Sequence, residues 1–163
     1  SAALQAGWRL SAAPGQGEAG HYSFNDVHAL LPMLLAGDLP GAERWVARCA
    51  ERAMVAADVR RDNHAVAREV GQPLARGLVA FAREQLDDSA DLLYTARAQA
   101  QRLGGSHTQR DLIDQTLIAA CGRGSRKALG RALLNERVLA KAPTPLTRHW
   151  LEALDDHGQQ ARQ

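Results

Sequence analysis

The stretch Leu39-Pro-Gly-Ala42-Glu-Arg-Trp45-Val46-Ala-Arg-Cys49-Ala50-Glu-Arg-Ala53-Met54-Val-Ala-Ala57 decides the fold class. Leu39, Ala42, Trp45, Val46, Cys49, Ala50, Ala53, Met54 and Ala57 recur at spacings of three and four, with arginines and glutamates between them. That period is one apolar stripe on an amphipathic helix. Pro40 suits the first turn, where its missing N–H costs nothing.

The same period continues on both sides. Upstream, Ser23 and Asp26 form a capping pattern, followed by Phe24, Val27, His28, Leu31, Leu34 and Leu35 at helical spacing. Pro32 inside this segment predicts a kink. Downstream, Asn63 opens a third helix through Val66, Val70, Leu74, Leu78 and Phe81, with a kink or break expected at Gly71-Gln72-Pro73. Residues 86–103 read as a fourth helix stopped by Gly104-Gly105. Ser106 and Gln109 cap a fifth, through Ile113, Leu117 and Ala120. Ser125 caps a sixth, through Leu129, Leu133 and Ala140. Thr144-Pro145 opens a short last helix holding Trp150, Leu151 and Leu154.

Composition agrees with the pattern. Thirty-one Ala and 22 Leu stand against 8 Val and 2 Ile, and aromatics are 4% of the 163 residues. Strands want β-branched and aromatic residues, so a sheet-based core is excluded. The chain length fits one domain. Residues 1–20 read as a flexible N-terminal segment with Trp8 and Leu10 available to dock, 21–157 as the helical domain, and 158–163 as a frayed tail.

Twenty basic against 18 acidic residues leave a net charge of +2. Nucleic-acid binders concentrate basic surface, so no nucleic-acid partner is expected. The local run Arg123, Arg126, Lys127, Arg131 reads first as a solvated helix start and second as an anion site. Residues 29–37 are the longest uncharged apolar stretch and fall far short of a membrane span, so no membrane partner is expected. Cys49 and Cys121, 72 positions apart at apolar helical positions, read as buried thiols without a disulfide. A cytoplasmic location follows as an expectation.

Six helices pair into three hairpins, turning at 37–42, 84–89 and 125–130. Each has a small residue five positions into the turn: Ala42, Ser89 and Gly130. Small residues there let two helices cross closely, which is the logic of tetratricopeptide repeats. The turn spacings of 47 and 41 residues exceed the roughly 34 of a standard repeat, so the repeats are degenerate. The expected fold is all-α, a tetratricopeptide-like array of about six to seven helices, with a plain helical bundle as its competitor.

Phe24-Asn-Asp-Val-His-Ala29, Glu69-Val-Gly-Gln-Pro-Leu74 and Gly104-Gly-Ser-His-Thr-Gln-Arg-Asp111 resemble the tetratricopeptide repeat protein 38 family in order and spacing, from about Tyr22 to Leu154. The chain resembles the C-terminal portion of that longer family. It departs at Glu84, where the family tends to have glycine, and at the third turn, 122–127. The resemblance implies a helical repeat fold and protein binding, and no catalytic residue.

The candidate binding residues are Asn25, His28, Arg76, His107 and Arg110, placed on first-of-pair helices facing one groove. His28 shares the stripe of Phe24 and Leu31, so a core-edge role competes with a binding one. His107 and Asp111 are four apart, but two ligands do not make a metal site. Arg110 lies near a helix N-terminus, where cations are disfavoured. It therefore calls for a carboxylate, either from an adjacent helix such as Asp26 or from a ligand. No catalytic motif occurs. The expected function is a non-catalytic module for a protein or peptide partner, with no cofactor and with self-association left open. The alternatives are a hydrolase or metal-dependent enzyme using groove histidines and carboxylates, or a structural part of a longer chain.

Overall fold

A computed structural model describes residues 23–54, 62–104, 107–140, 142 and 144–160. Trp8, Leu10, Ala57, Ser106 and the side chains of Asn63 and His107 lie outside the described residues. The described chain is all-helical: α1 (Ser23–Leu35), α2 (Leu39–Ala53), α3 (Asp62–Val66), α4 (Gln72–Ala82), α5 (Leu86–Arg97), α6 (His107–Arg123), α7 (Lys127–Ala140) and α8 (Pro145–Gln160). A π turn, Ala67–Gly71, joins α3 to α4, and a 3₁₀ turn, Ala100–Leu103, follows α5.

Three hairpins stack in chain order. α1 packs on α2, α4 on α5 and α6 on α7, while α2 meets α4 and α5 meets α6. The first helices also touch one another, α1 on α4 and α4 on α6, and α8 closes the end against α6 and α7. One core runs through the stack, from Leu30 through Leu93, Leu117 and Ile118 to Leu134 and Leu154, all essentially without solvent contact.

The helix boundaries have local causes. Asp38 caps α2, its carboxylate accepting the Gly41 N–H at 3.0 Å. The stripe buries Ala42, Trp45, Cys49 and Ala53, but α2 ends there and Met54 is exposed. Trp45 lies in the α1–α2 seam and donates its indole N–H to the Asp26 carbonyl at 2.9 Å. At Gly71-Gln72-Pro73, where a kink or break is expected, the helix does not break but passes through a π turn. The Gln72 N–H reaches the Ala67 carbonyl five residues back, and this wider turn carries the rod past Pro73 without interruption.

The fourth helix is shorter than its sequence predicts. It ends at Arg97, and a 3₁₀ turn takes over because a three-residue period turns both Ala100 and Leu103 inward. Gly104, at φ +76°, then stops it. Glu84, in the turn between α4 and α5, holds φ +63°, the left-handed region that glycine enters freely.

The small residues at the hairpins sit where helices cross. Ala42 and Ser89 are fully buried, and the Ser89 hydroxyl donates to the Gly77 carbonyl at 2.9 Å across the α4–α5 crossing. A Cβ on Gly77 would lie 2.8 Å from Leu93 Cγ, and one on Gly130 would lie 2.8 Å from Cys121 Cβ. Ser125 does not cap α7. Its N–H and its hydroxyl both donate to the Asp87 carboxylate, at 2.7 and 2.5 Å, which ties the third turn to the start of α5. That pair of donors holds the Asp87 carboxyl below the usual carboxylate range.

Candidate functional site

Rod α4 has two working faces. Leu74 and Leu78 point to the side of α1 and α6, whereas Gln72, Arg76, Val79 and Ala80 point between α2 and α5. Each side holds a concavity, and the expected binding residues divide between them.

On the first side lies a cavity of about 70 Å³. Its walls are Val27 and Leu31 of α1, Leu74 and Leu78 of α4, Ala100 and Leu103 of the 3₁₀ turn, and Leu112 and Ile113 of α6. Among the described residues, the polar side chains in this wall are His28 and Arg110, both half-buried, and Leu112 is partly exposed at 39%. His28 and Arg110 each also interact within the chain.

On the second side an open groove of about 630 Å³ runs between α2 and α5, with α4 as its floor. Val46, Ala47, Ala50, Val79, Ala80 and Leu92 supply apolar surface, and Glu43, Gln72, Arg76, Arg83, Gln85, Asp88 and Asp91 supply the rims. Glu43 is paired with Arg83, and Asp91 with Arg126 at 2.6 Å. Arg76 and Asp88 are then the groove charges outside those pairs.

Of the five expected residues, the side chain of His107 lies outside the described residues, and the other four do not line one concavity. His28 and Arg110 share the small cavity, and Arg76 lines the groove across α4. Asn25 is exposed on α1 and lines neither concavity. The physical reason is the helical period. Arg76 falls between Leu74 and Leu78, so their common face cannot include it.

The third-hairpin basic run is engaged internally. Arg123 pairs with Glu84 and stacks over Phe81 with its guanidinium carbon 5.3 Å from the ring centroid. Arg126 pairs with Asp91, Lys127 donates to the Gly122 carbonyl, and Arg131 donates to the Leu154 carbonyl at 2.9 and 3.2 Å. These contacts tie the third hairpin to Glu84, to α5 and to α8.

The strongest charge contact was not singled out by sequence reasoning. Arg137 of α7 grips Asp111 of α6 with two parallel bonds, 2.5 and 3.0 Å, and the two side chains are only 12% and 14% exposed. Gln115 also donates to Asp111 at 2.7 Å. Arg97 links three helices, bonding Asp114 at 2.7 Å and Glu136 at 2.9 Å. Burial, then the charge of Asp26, push the Cys49 thiol up to about 12; burial, then Asp87, push Cys121 up to about 11. Thiols held protonated are poor nucleophiles and poor metal ligands.

Among the described residues, no three His, Cys, Asp or Glu side chains come together as a metal site, and no helix is long and apolar enough to cross a membrane. No protein-family model matches the chain, and no solved structure matches it.

Proposed function

We propose that the chain is a non-catalytic peptide-interaction module built on degenerate tetratricopeptide-like hairpins, and that the peptide lies in the groove between α2 and α5. The groove carries this reading: at about 630 Å³ it has room for several residues, an apolar floor and polar rims. Affinity comes from aliphatic side chains set on Val46, Val79 and Leu92. Orientation comes from an acidic group on Arg76 and a donor on Asp88.

The stacking order supports the repeat reading, because α1 packs on α2, α4 on α5 and α6 on α7, and α1, α4 and α6 touch in turn. Buried small residues at the three hairpins support it too. So does Glu84, whose left-handed backbone stands where the resembled family tends to have glycine. Membership of the tetratricopeptide repeat protein 38 family is part of the same proposal.

The test begins with a random peptide library selected on the immobilised chain. A selected peptide is then titrated against the wild type, Ala47→Arg and Arg76→Glu. Ala47 is exposed, so an arginine there obstructs the groove at little cost to the fold. At least tenfold weaker binding by Ala47→Arg, with unchanged melting, is expected. Equal binding by wild type and both variants contradicts the groove.

A further inference from the structure

The polar groups around the groove between α2 and α5 are of two kinds, and the difference specifies what occupies it. Glu43 is bridged to Arg83, from the first turn of α2 to the end of α4, and Asp91 is held by Arg126. Arg76 on the floor and Asp88 on the α5 rim have no ion-pair or hydrogen-bond partner among the described residues. The side-chain amides of Gln72 and Gln85 have none there either. Val46, Val79 and Leu92 supply the apolar surface between them.

We infer, on the peptide-binding reading of this groove, that its occupant is an extended segment in which an acidic and a basic residue flank an aliphatic one. In an extended chain successive side chains point to opposite faces. An aliphatic residue turned onto Val46, Val79 and Leu92 therefore sends both neighbours outward, the acid to the Arg76 guanidinium and the base to the Asp88 carboxylate. The spacing agrees. A Cβ on Gly77 would lie 3.3 Å from Leu92 Cβ, so Leu92 is level with the Arg76–Gly77 step of α4. Asp88 precedes Leu92 by one turn of α5, which offsets the two charges by about 5–6 Å along the groove. Alternate residues of a strand are about 6.6 Å apart. The unpartnered amides favour the same form. A helix bonds its own N–H and C=O groups, whereas an extended segment presents both to its surroundings. Gln72 and Gln85 each offer a donor and an acceptor to them. Two acids would set a like charge against Asp88, and two bases one against Arg76, so the mixed pattern is selected by repulsion as well as attraction.

The probe is the acetylated, amidated peptide Ala-Glu-Leu-Lys-Ala, titrated into the full chain and followed by methyl chemical shifts of Val46, Val79 and Leu92. Its comparators carry two glutamates or two lysines around the leucine, or hold glutamate and lysine four apart on a lactam-locked helix. The wild type should bind the mixed-charge peptide at least fivefold tighter than each comparator. Asp88→Lys should prefer the two-glutamate peptide and Arg76→Glu the two-lysine peptide, each by at least fivefold. Both positions are exposed, so the fold tolerates the exchange. Should a variant fail to fold, the ranking on the wild type decides alone. Equal binding of mixed and like-charged peptides overturns the charge assignment, and tighter binding of the locked helix overturns the extended form. If a library-selected peptide still shifts the groove methyls, those results overturn this inference and leave the peptide groove standing. If neither that peptide nor the pentapeptides shift them, the groove itself falls, and this inference with it.

Discussion

At the scale of single residues, Trp45 and the Asp111–Arg137 pair hold the molecule in different ways. Trp45 combines burial with a hydrogen bond to the Asp26 carbonyl, so truncating it opens a cavity and strands an acceptor. Trp45→Ala should lose about 3–5 kcal/mol in a denaturant titration, as large aromatic truncations in cores do. A loss below about 1 kcal/mol would place the stripe against solvent. Asp111→Asn keeps the shape but leaves the Arg137 guanidinium mostly buried beside a neutral amide. The expected cost is about 2–3 kcal/mol, because losing one member of a desolvated charged pair exceeds the value of an exposed one. A change within about 0.5 kcal/mol would rank the pair with ordinary surface bridges. Trp45 was legible because it repeats with the apolar period. Asp111–Arg137 was not: its members are 26 positions apart on helices whose rotation about their axes the sequence does not specify.

At the scale of elements, the hairpins depend on close approach. At Gly77 a methyl gains about 1 kcal/mol of helix propensity but meets the buried Leu93 at 2.8 Å. Overpacking of about 1–3 kcal/mol wins, so Gly77→Ala should be less stable by about 1–2 kcal/mol. A stabilised variant would mean that α4 and α5 cross with room to spare. The opposite logic holds at Glu84. Its left-handed backbone costs an L-residue about 1–2 kcal/mol, offset in a glycine variant by about 0.5–1 kcal/mol of chain entropy and a lost exposed pair with Arg123. Glu84→Gly should thus stay within about 0.5 kcal/mol of wild type by denaturant midpoint, despite deleting an ion pair. The starts of α2 at Pro40 and of α8 at Thr144-Pro145, and the three hairpin turns, could be read from capping and breaking residues. The π form of the irregularity before Pro73 and the 3₁₀ turn after Arg97 could not, since both answer to tertiary burial of Val70, Ala100 and Leu103. Which concavity each polar side chain lines was not legible for a related reason: it depends on the helical rotation that sets Arg76 opposite Leu74 and Leu78.

At the scale of the whole molecule, the two buried thiols give stability an alkaline edge. Both are raised in the folded chain, from the ordinary 9.0 to about 12 for Cys49 and about 11 for Cys121. A raised folded pKa means the native state holds its proton more tightly than the unfolded chain. The contribution is complete below pH 9 and is lost as pH climbs through 11 and 12. Denaturant midpoints should therefore fall between pH 8 and pH 10.5, and less steeply in a Cys49→Ala/Cys121→Ala variant; equal slopes would deny the thiols this role. Stacked hairpins with a groove on one flank of α4 form the frame for the peptide-binding proposal. The most direct measurement is a methyl-resolved NMR titration of the full chain with a library-selected peptide. The account predicts shifts concentrated at Val46, Ala47, Val79, Ala80 and Leu92, abolished in Ala47→Arg, with Val27, Leu31 and Ile113 unmoved. Shifts confined to Val27, Leu31 and Ile113, or persisting unchanged in Ala47→Arg, would contradict it.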